Sequence, residues 1–228
     1  MTFLQLVQRV HVESGRQGTA PTTVIGQTGM NARFVNWILS AYEHVQSLHE
    51  SWLFRQKEFS FPTVNGVQNY TPATLLYTDF GAWRIDPDNN RFSGIKIYSA
   101  IADEQQMEYV QWDDYKTVYK MGSFRTQTGR PDIVTIKPDM SLDLWPIPNA
   151  VYTVSGEYIK SLQTMTINAS IPILPDHHMV IVWKALMYYG AFEGASEVYA
   201  HGQNEYELLV AKLEYNQLPR LHWGEPLA

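Results

Sequence analysis

The chain has 228 residues, a formal net charge of −6 and no cysteine. That length holds one large domain or two small ones, and 45% hydrophobic against 18% charged residues is enough to bury a sizeable core. The negative balance argues against a protein whose main work is gripping DNA phosphates, and the missing cysteines exclude disulfides, thiolate catalysis and Cys-ligated zinc.

The elements follow in chain order. Thr2 and Gln5 have capping-box spacing, and Phe3, Leu6, Val7 and Val10 recur on one helical face up to Gly15. The opening stretch has no basic leader or small-residue cleavage site, so the expectation is a chain made in the cytosol. "GRQGTAPTTVIGQTG" is a nearly uncharged loop. A second helix is predicted from about Met30 to Ser51, with Phe34, Ile38, Ala41, Val45, Leu48 and Trp52 as its stripe. From Arg55 the period changes to two, and "KEFSFPTVNGVQNYTP" predicts a hairpin around Asn65-Gly66. "SGIKIYSAI" and "QQMEYVQW" read as strands and "DDYKTVYKMG" as a short helix. "GSFRTQTGRP" is a basic loop. "DIVTIKPDMSLDLWPIP" predicts two strands around Pro138-Asp139, and "AVYTVSGEYIK" a third. A helix opening at Pro175 or Asp176 is expected to break at Gly190 and Gly194, and a last one runs from about Ala195 to Asn216. The fold class is therefore α+β. Residues 1–54 and 175–217 would form a discontinuous helical bundle, 55–174 an inserted β-rich lobe, antiparallel and sandwich-like, and 218–228 an extended tail.

The chemistry-bearing residues do not converge. "GQTGM" has the glycines of a phosphate loop but no lysine, and Gly190-Ala-Phe-Glu-Gly194 has Phe192 where a hydrolase elbow needs serine. His177 and His178 are adjacent, so on a helix they point about 100° apart and cannot easily share a metal. Asp103-Glu104 and Asp113-Asp114 read as solvated turns or helix starts. No enzyme, cofactor or metal is expected. Lys116, Lys120, Arg125 and Arg130 form the one local basic excess, suited to nucleic acid or an acidic protein surface, or simply a solvated loop. The longest apolar run, Met179 to Trp183, is far too short to span a bilayer.

The end of the chain, "NQLPRLHWGEPLA", combines Pro219 and Pro226, which forbid a regular helix, with Leu218, Leu221, Trp223 and Leu227, which are costly to leave in water. Such a segment either folds back over its own chain or grips a partner.

The order and spacing of "FLQLVQRV", "HESWLFRQKEFSF", "FPTVNGVQNYTP", "GRPD", "LDLWPIPNAVYTVSGEY" and the run from "IPILPDHH" to "LEYNQLP" resemble the adaptor proteins, or head-to-tail connectors, of tailed bacteriophages. From about Leu76 to Thr128 nothing aligns with that pattern. The resemblance implies a structural virion protein at the neck between capsid and tail. It would form a homo-oligomeric ring, usually of twelve copies, that joins the portal protein to tail or nozzle proteins and extends a channel through which DNA passes unbound. It also implies that the C-terminal segment reaches the portal, with Leu218, Arg220, Leu221, His222, Trp223 and Leu227 as contacts, and that Arg125 and Arg130 meet a neighbouring subunit or the tail. Eleven extended residues span roughly 35–40 Å. The richness in Trp and Tyr keeps an alternative open, a carbohydrate- or receptor-binding module of a phage tail.

Overall fold

The computed structural model describes residues 1–85 and 92–219, Phe92 by its backbone alone. It divides into two compact units, one made of Met1–Arg55 and the chain from Leu162 onward, the other of Gln56–Ser161.

The first unit holds helices α1 (Phe3–Glu13), α2 (Gly29–Ser47), α4 (Met179–Glu193) and α5 (Ser196–Gln217). The Thr2–Gln5 capping box is formed in both directions. Two more N–H groups of the first turn of α1, on Phe3 and Leu4, donate to the carbonyls of Ser170 and Asn168 at 2.7 and 3.2 Å. The orphan donors of that helix end are thus satisfied by a distant part of the chain. α4 packs against α1, α2 and α5. Val180 to Trp183, Ala185 to Met187, Tyr189 and Gly190 are all buried, which leaves only the half-exposed strip of Lys184 and Tyr188 at the centre of this helix.

Two details of this unit differ from the expectation. Gly190 does not break α4. It lies inside the helix, where a Cβ would stand 2.8 Å from the Tyr199 backbone nitrogen. The missing side chain lets α5 approach, and the helix ends four residues later at Gly194, which adopts φ 69°. The stretch 162–174, expected in the β lobe, packs with the helices instead. Met165 and Leu174 are buried in the helical core. The Gln46 amide, fully buried, pairs with the Gln163 backbone through two hydrogen bonds of 2.9 Å.

The second unit holds β1 (Gln56–Pro62), β2 (Asn69–Tyr70), β3 (Phe80–Trp83), β4 (Phe92–Tyr98), β5 (Gln105–Tyr109), helix α3 (Trp112–Tyr119), β6 (Thr128–Gly129), β7 (Ile133–Ile136), β8 (Leu142–Trp145), β9 (Ile147–Pro148) and β10 (Thr153–Lys160). Seven strands run in the order β1-β10-β4-β5-β7-β8-β2, with β3 also on β10. β6 and β9 form a separate parallel pair.

The expected antiparallel sandwich is therefore corrected to one curled, mixed sheet. β5 and β7 are parallel, because the connection between them carries α3 as a crossover. The curl shows in the core. Phe61 of β1 and Tyr70 of β2, from strands at opposite ends of the order, bring their rings within 4.9 Å. Phe59, Trp83, Ile95, Ile97, Met107, Val134, Leu142, Leu144, Val154 and Tyr158 complete the same cluster. α3 covers the outer face of β7 and β8 through Tyr115, Ile133 and Trp145.

The Asn65-Gly66 turn forms, but the hairpin does not. Val67 N–H donates to the Val64 carbonyl at 3.0 Å, and Gly66 takes φ 78° while Asn65 stays at negative φ. That is a type II turn, whose twist does not suit two directly paired strands. β1 pairs along its length with β10, and β2 pairs with β8. The Tyr70 hydroxyl holds the loop, accepting from Val64 N–H at 2.9 Å and donating to the Val67 carbonyl at 2.8 Å.

Gly190→Ala is expected to destabilise the chain by about 1–3 kcal/mol in urea unfolding. The gain of up to about 1 kcal/mol in helix propensity is outweighed because the atom struck is backbone and cannot step aside. Tyr70→Phe, which keeps the ring in the core, is expected to cost about 1 kcal/mol in the same measurement through loss of the two loop hydrogen bonds.

Candidate functional site

The expected contact residues fall in different places. Arg220, Leu221, His222, Trp223 and Leu227 lie outside the described residues. Leu218, expected in the free tail, is half-buried against the helical core, and its N–H donates to the Glu214 carbonyl at 3.0 Å. It acts as the C-cap of α5 rather than as the first residue of a detached segment.

Beside that cap, α5 carries a second apolar stripe. Leu209 and Leu213 face the core, whereas Leu208, Ala211 and Tyr215 are exposed at i, i+3 and i+7 spacing. With His177, Lys212 and Asn216 they line a shallow groove of about 340 Å³. Asn216 and the His177 imidazole are within 3.2 Å across it. Glu207, one turn before Ala211, is exposed. Its carboxylate accepts from Gln203 at 2.8 Å and has no cation partner among the described residues.

Arg125 is exposed in the 3-10 turn Gly122–Thr126. Arg130 is not a free surface cation. Its Nη1 donates to Asp103 Oδ2 at 3.0 Å, and its Nη2 donates to the carbonyls of Ile97 at 3.0 Å and Asp103 at 2.5 Å. The guanidinium also stands 5.9 Å from the centre of the Tyr152 ring. Asp103 Oδ1 in turn accepts from the N–H groups of Ala100 and Ser99, each at 2.9 Å. Those backbone donors, helped by Arg130, hold the Asp103 carboxyl below its usual range. Sequence reasoning took Asp103-Glu104 for a solvated turn or helix start, and Asp103 does end the short 3-10 turn Ile101–Asp103. What the sequence did not show is that this carboxylate is held by Arg130, because the two residues are far apart along the chain.

Beneath α3, Asp143 is buried and ion-paired to Lys120 at 2.5 Å, while Lys120 also donates to Gln68 Oε1 at 2.8 Å. Gln68 Nε2 donates to the Tyr115 hydroxyl at 3.1 Å. Burial, with the nearby Asp143 charge, pushes the Tyr115 phenol well above its ordinary value. This network fastens α3 to the sheet. It faces no cleft. On the sheet itself a depression of about 400 Å³ is lined by Glu58, Arg84, Lys96 and Glu157. Arg84 is paired with Glu157 and Lys96 with Glu104.

The histidines go separate ways. His178 meets the Met1 amine with Nδ1 and the Leu174 carbonyl with Nε2, and burial lowers its pKa. His49 pairs with Glu214 at 2.8 Å, and His44 is depressed by burial and by Lys184. Among the described residues no group of three or more His, Asp or Glu is arranged to hold a metal ion. None of the described helices is long and apolar enough to cross a membrane.

What the geometry offers is surface: an apolar groove at the C-terminal end of α5, a β4–β5 turn braced by Arg130, an exposed Arg125, and a helix cap at Leu218. No curated protein sequence matches the chain. A family model described as SU10 adaptor protein matches residues 1–225. With the match running almost from end to end, the chain belongs to the SU10 adaptor protein family.

Proposed function

We propose that this chain is a structural virion protein of a tailed bacteriophage that forms a ring between the capsid portal and the tail, extending the channel through which DNA passes. The observation that carries the reading is the family match over nearly the whole length. In this reading the four helices of the first unit form a bundle, the sheet unit is a lobe inserted into it, and the residues after the α5 cap are the portal anchor. The ring would hold twelve copies, as such adaptors usually do. Arg125 would meet a neighbour or a tail protein directly, and Arg130 would act by stiffening the loop beside it. The negative net charge suits a wall past which DNA slides without sticking. No reaction is assigned to the protein, and its working parts are interfaces.

For the anchor, the cap at Leu218 is informative. A segment leaving a fixed helix end loses less freedom on docking than one hanging from a loose linker, and Pro219 and Pro226 stiffen it further. Trp223 is its best candidate for a hot spot.

The test is co-sedimentation with the portal ring encoded by the same genome, comparing the full chain with one ending at Gln217. Loss of binding on truncation supports the anchor. Binding by both keeps the connector and removes the anchor from the tail. Binding by neither overturns the reading. Trp223→Ala is expected to weaken portal attachment by about 2 kcal/mol or more.

A further inference from the structure

One seam in the helical unit is short of negative charge. It lies over the half-exposed strip of α4 made by Lys184 and Tyr188, to which α2 brings His44 and α5 brings Tyr206. The Lys184 ammonium stands 5.1 Å from the centre of the Tyr206 ring and 5.5 Å from that of Tyr188. The His44 ring lies 6.3 Å from the Tyr206 ring. Lys184 has no carboxylate partner among the described residues, and the buried Tyr206 hydroxyl makes no hydrogen bond there. Ring contacts and apolar packing hold this seam, without a polar lock.

No unpaired carboxylate faces His44 among the described residues. On α2 itself, Glu43 is exposed and, as the preceding residue, turns about 100° away. His49 pairs with Glu214 of α5 at 2.8 Å, so that carboxylate is taken. α4 contributes Lys184 and Tyr188, and α5 contributes Tyr206. Burial raises the Tyr188 phenol, and burial with Tyr188 and Glu214 nearby pushes that of Tyr206 up to about 12, so neither is negative near neutrality. The ring contact that α1 makes with α2 joins His11 to Phe34, at 6.1 Å. The chain after Leu162 meets α2 through uncharged groups, the Gln163 backbone on Gln46 and the Ile173 N–H on the Tyr42 hydroxyl. The charge that acts on His44 is therefore the Lys184 cation.

A proton on His44 is doubly unfavourable. The ring is half-buried, and a second cation would sit near Lys184 with nothing to offset either. Burial, helped by Lys184, holds the His44 imidazole below its usual range. We propose that the seam where α2 meets α4 and α5 is a pH-sensitive latch, closed while His44 is neutral and loosened when acid charges it beside Lys184. In the unfolded chain this histidine takes its proton near pH 6.5, and in the seam it does so at lower pH. The latch is therefore at full strength above pH 6.5 and weakens as pH falls below that value. The α2 side is the one that gives. α4 and α5 close on each other at Gly190 and Gly202, where a Cβ would stand 2.8 Å from the Tyr199 nitrogen and 3.2 Å from the Trp183 carbonyl oxygen.

The test is amide hydrogen exchange of the full chain at about pH 7.5 and about pH 5, expressed as protection relative to the free-peptide rate at each pH. Protection in residues 41–48 and 203–210 is expected to fall about tenfold on acidification, while that of β1 and β10 holds. His44→Gln, which cannot take the charge, is expected to abolish the fall, and Lys184→Met to lessen it. His178, at the head of α4, is also held below its usual range by burial and meets the Met1 amine. His178→Gln is therefore the control, and it should leave the fall in place. No fall in the wild type, an undiminished fall in His44→Gln, or a fall that disappears only in His178→Gln would each overturn the latch. Should His44→Gln fail to fold, Lys184→Met decides, and a fall as deep as in the wild type would sink the proposal. The result does not depend on whether the chain forms a ring.

Discussion

The burial of α4 around most of its circumference, all but the strip of Lys184 and Tyr188, is the constraint from which much of the architecture follows. A helix with Val180, Ile181, Trp183, Leu186 and Tyr189 distributed around its circumference cannot lie on a surface. It must be covered by other elements, and α1, α2 and α5 are the ones that cover it. Two of these come from the first quarter of the chain and one from the last. The residues between must therefore leave and return, and the long antiparallel pairing of β1 with β10 brings their departure and arrival side by side. Gly190 serves the same packing at the level of single atoms, because only a hydrogen fits between α4 and the start of α5.

In the sheet unit the corresponding constraint is the accounting of polar backbone. A curled sheet of short strands has many ends, and each end exposes N–H and C=O groups. Here side chains close several of those gaps. Tyr70 ties the Val64–Val67 turn, Asp103 caps the turn before it, Arg130 binds two carbonyls, and Trp145 Nε1 donates to the Phe124 carbonyl at 2.9 Å. The loops that result are firm without being regular. Firm loops suit a protein that must hold other proteins in register, since little freedom is lost when a partner arrives.

The distribution of polar chemistry agrees with that role. Two of the buried ionisable groups, Asp143 and Tyr115, are tied through Lys120 and Gln68 into one network under a helix. Exposed apolar side chains stand on turns such as those of Val64 and Ile101 and along α5 at Leu208 and Tyr215. A molecule arranged this way presents shape and apolar area.

Much of the element layout was legible from local pattern. The capping box at Thr2, the stripes of the helices and the strands flanking Pro138-Asp139 all rest on contacts between near neighbours in sequence, which a period of 3.6 or 2 reports directly. The absence of cysteine and the negative charge likewise needed no fold. Pairing partners did not show. Asn65-Gly66 marks a turn, yet whether β1 joins β2 or β10 depends on a strand far along the chain, where Pro62 pairs with Thr153 and Gln56 with Ile159. Gly190 carries the signature of a break, and only the approach of Tyr199 turns it into a packing site. Arg130 has the charge of a surface contact, and only the β4–β5 turn converts it into a brace. Sequence determined which segments are helix, strand and turn, because those choices are local. Tertiary structure decided which edges pair, which charges are tied off and which apolar residues stay in water, because each depends on groups far apart along the chain.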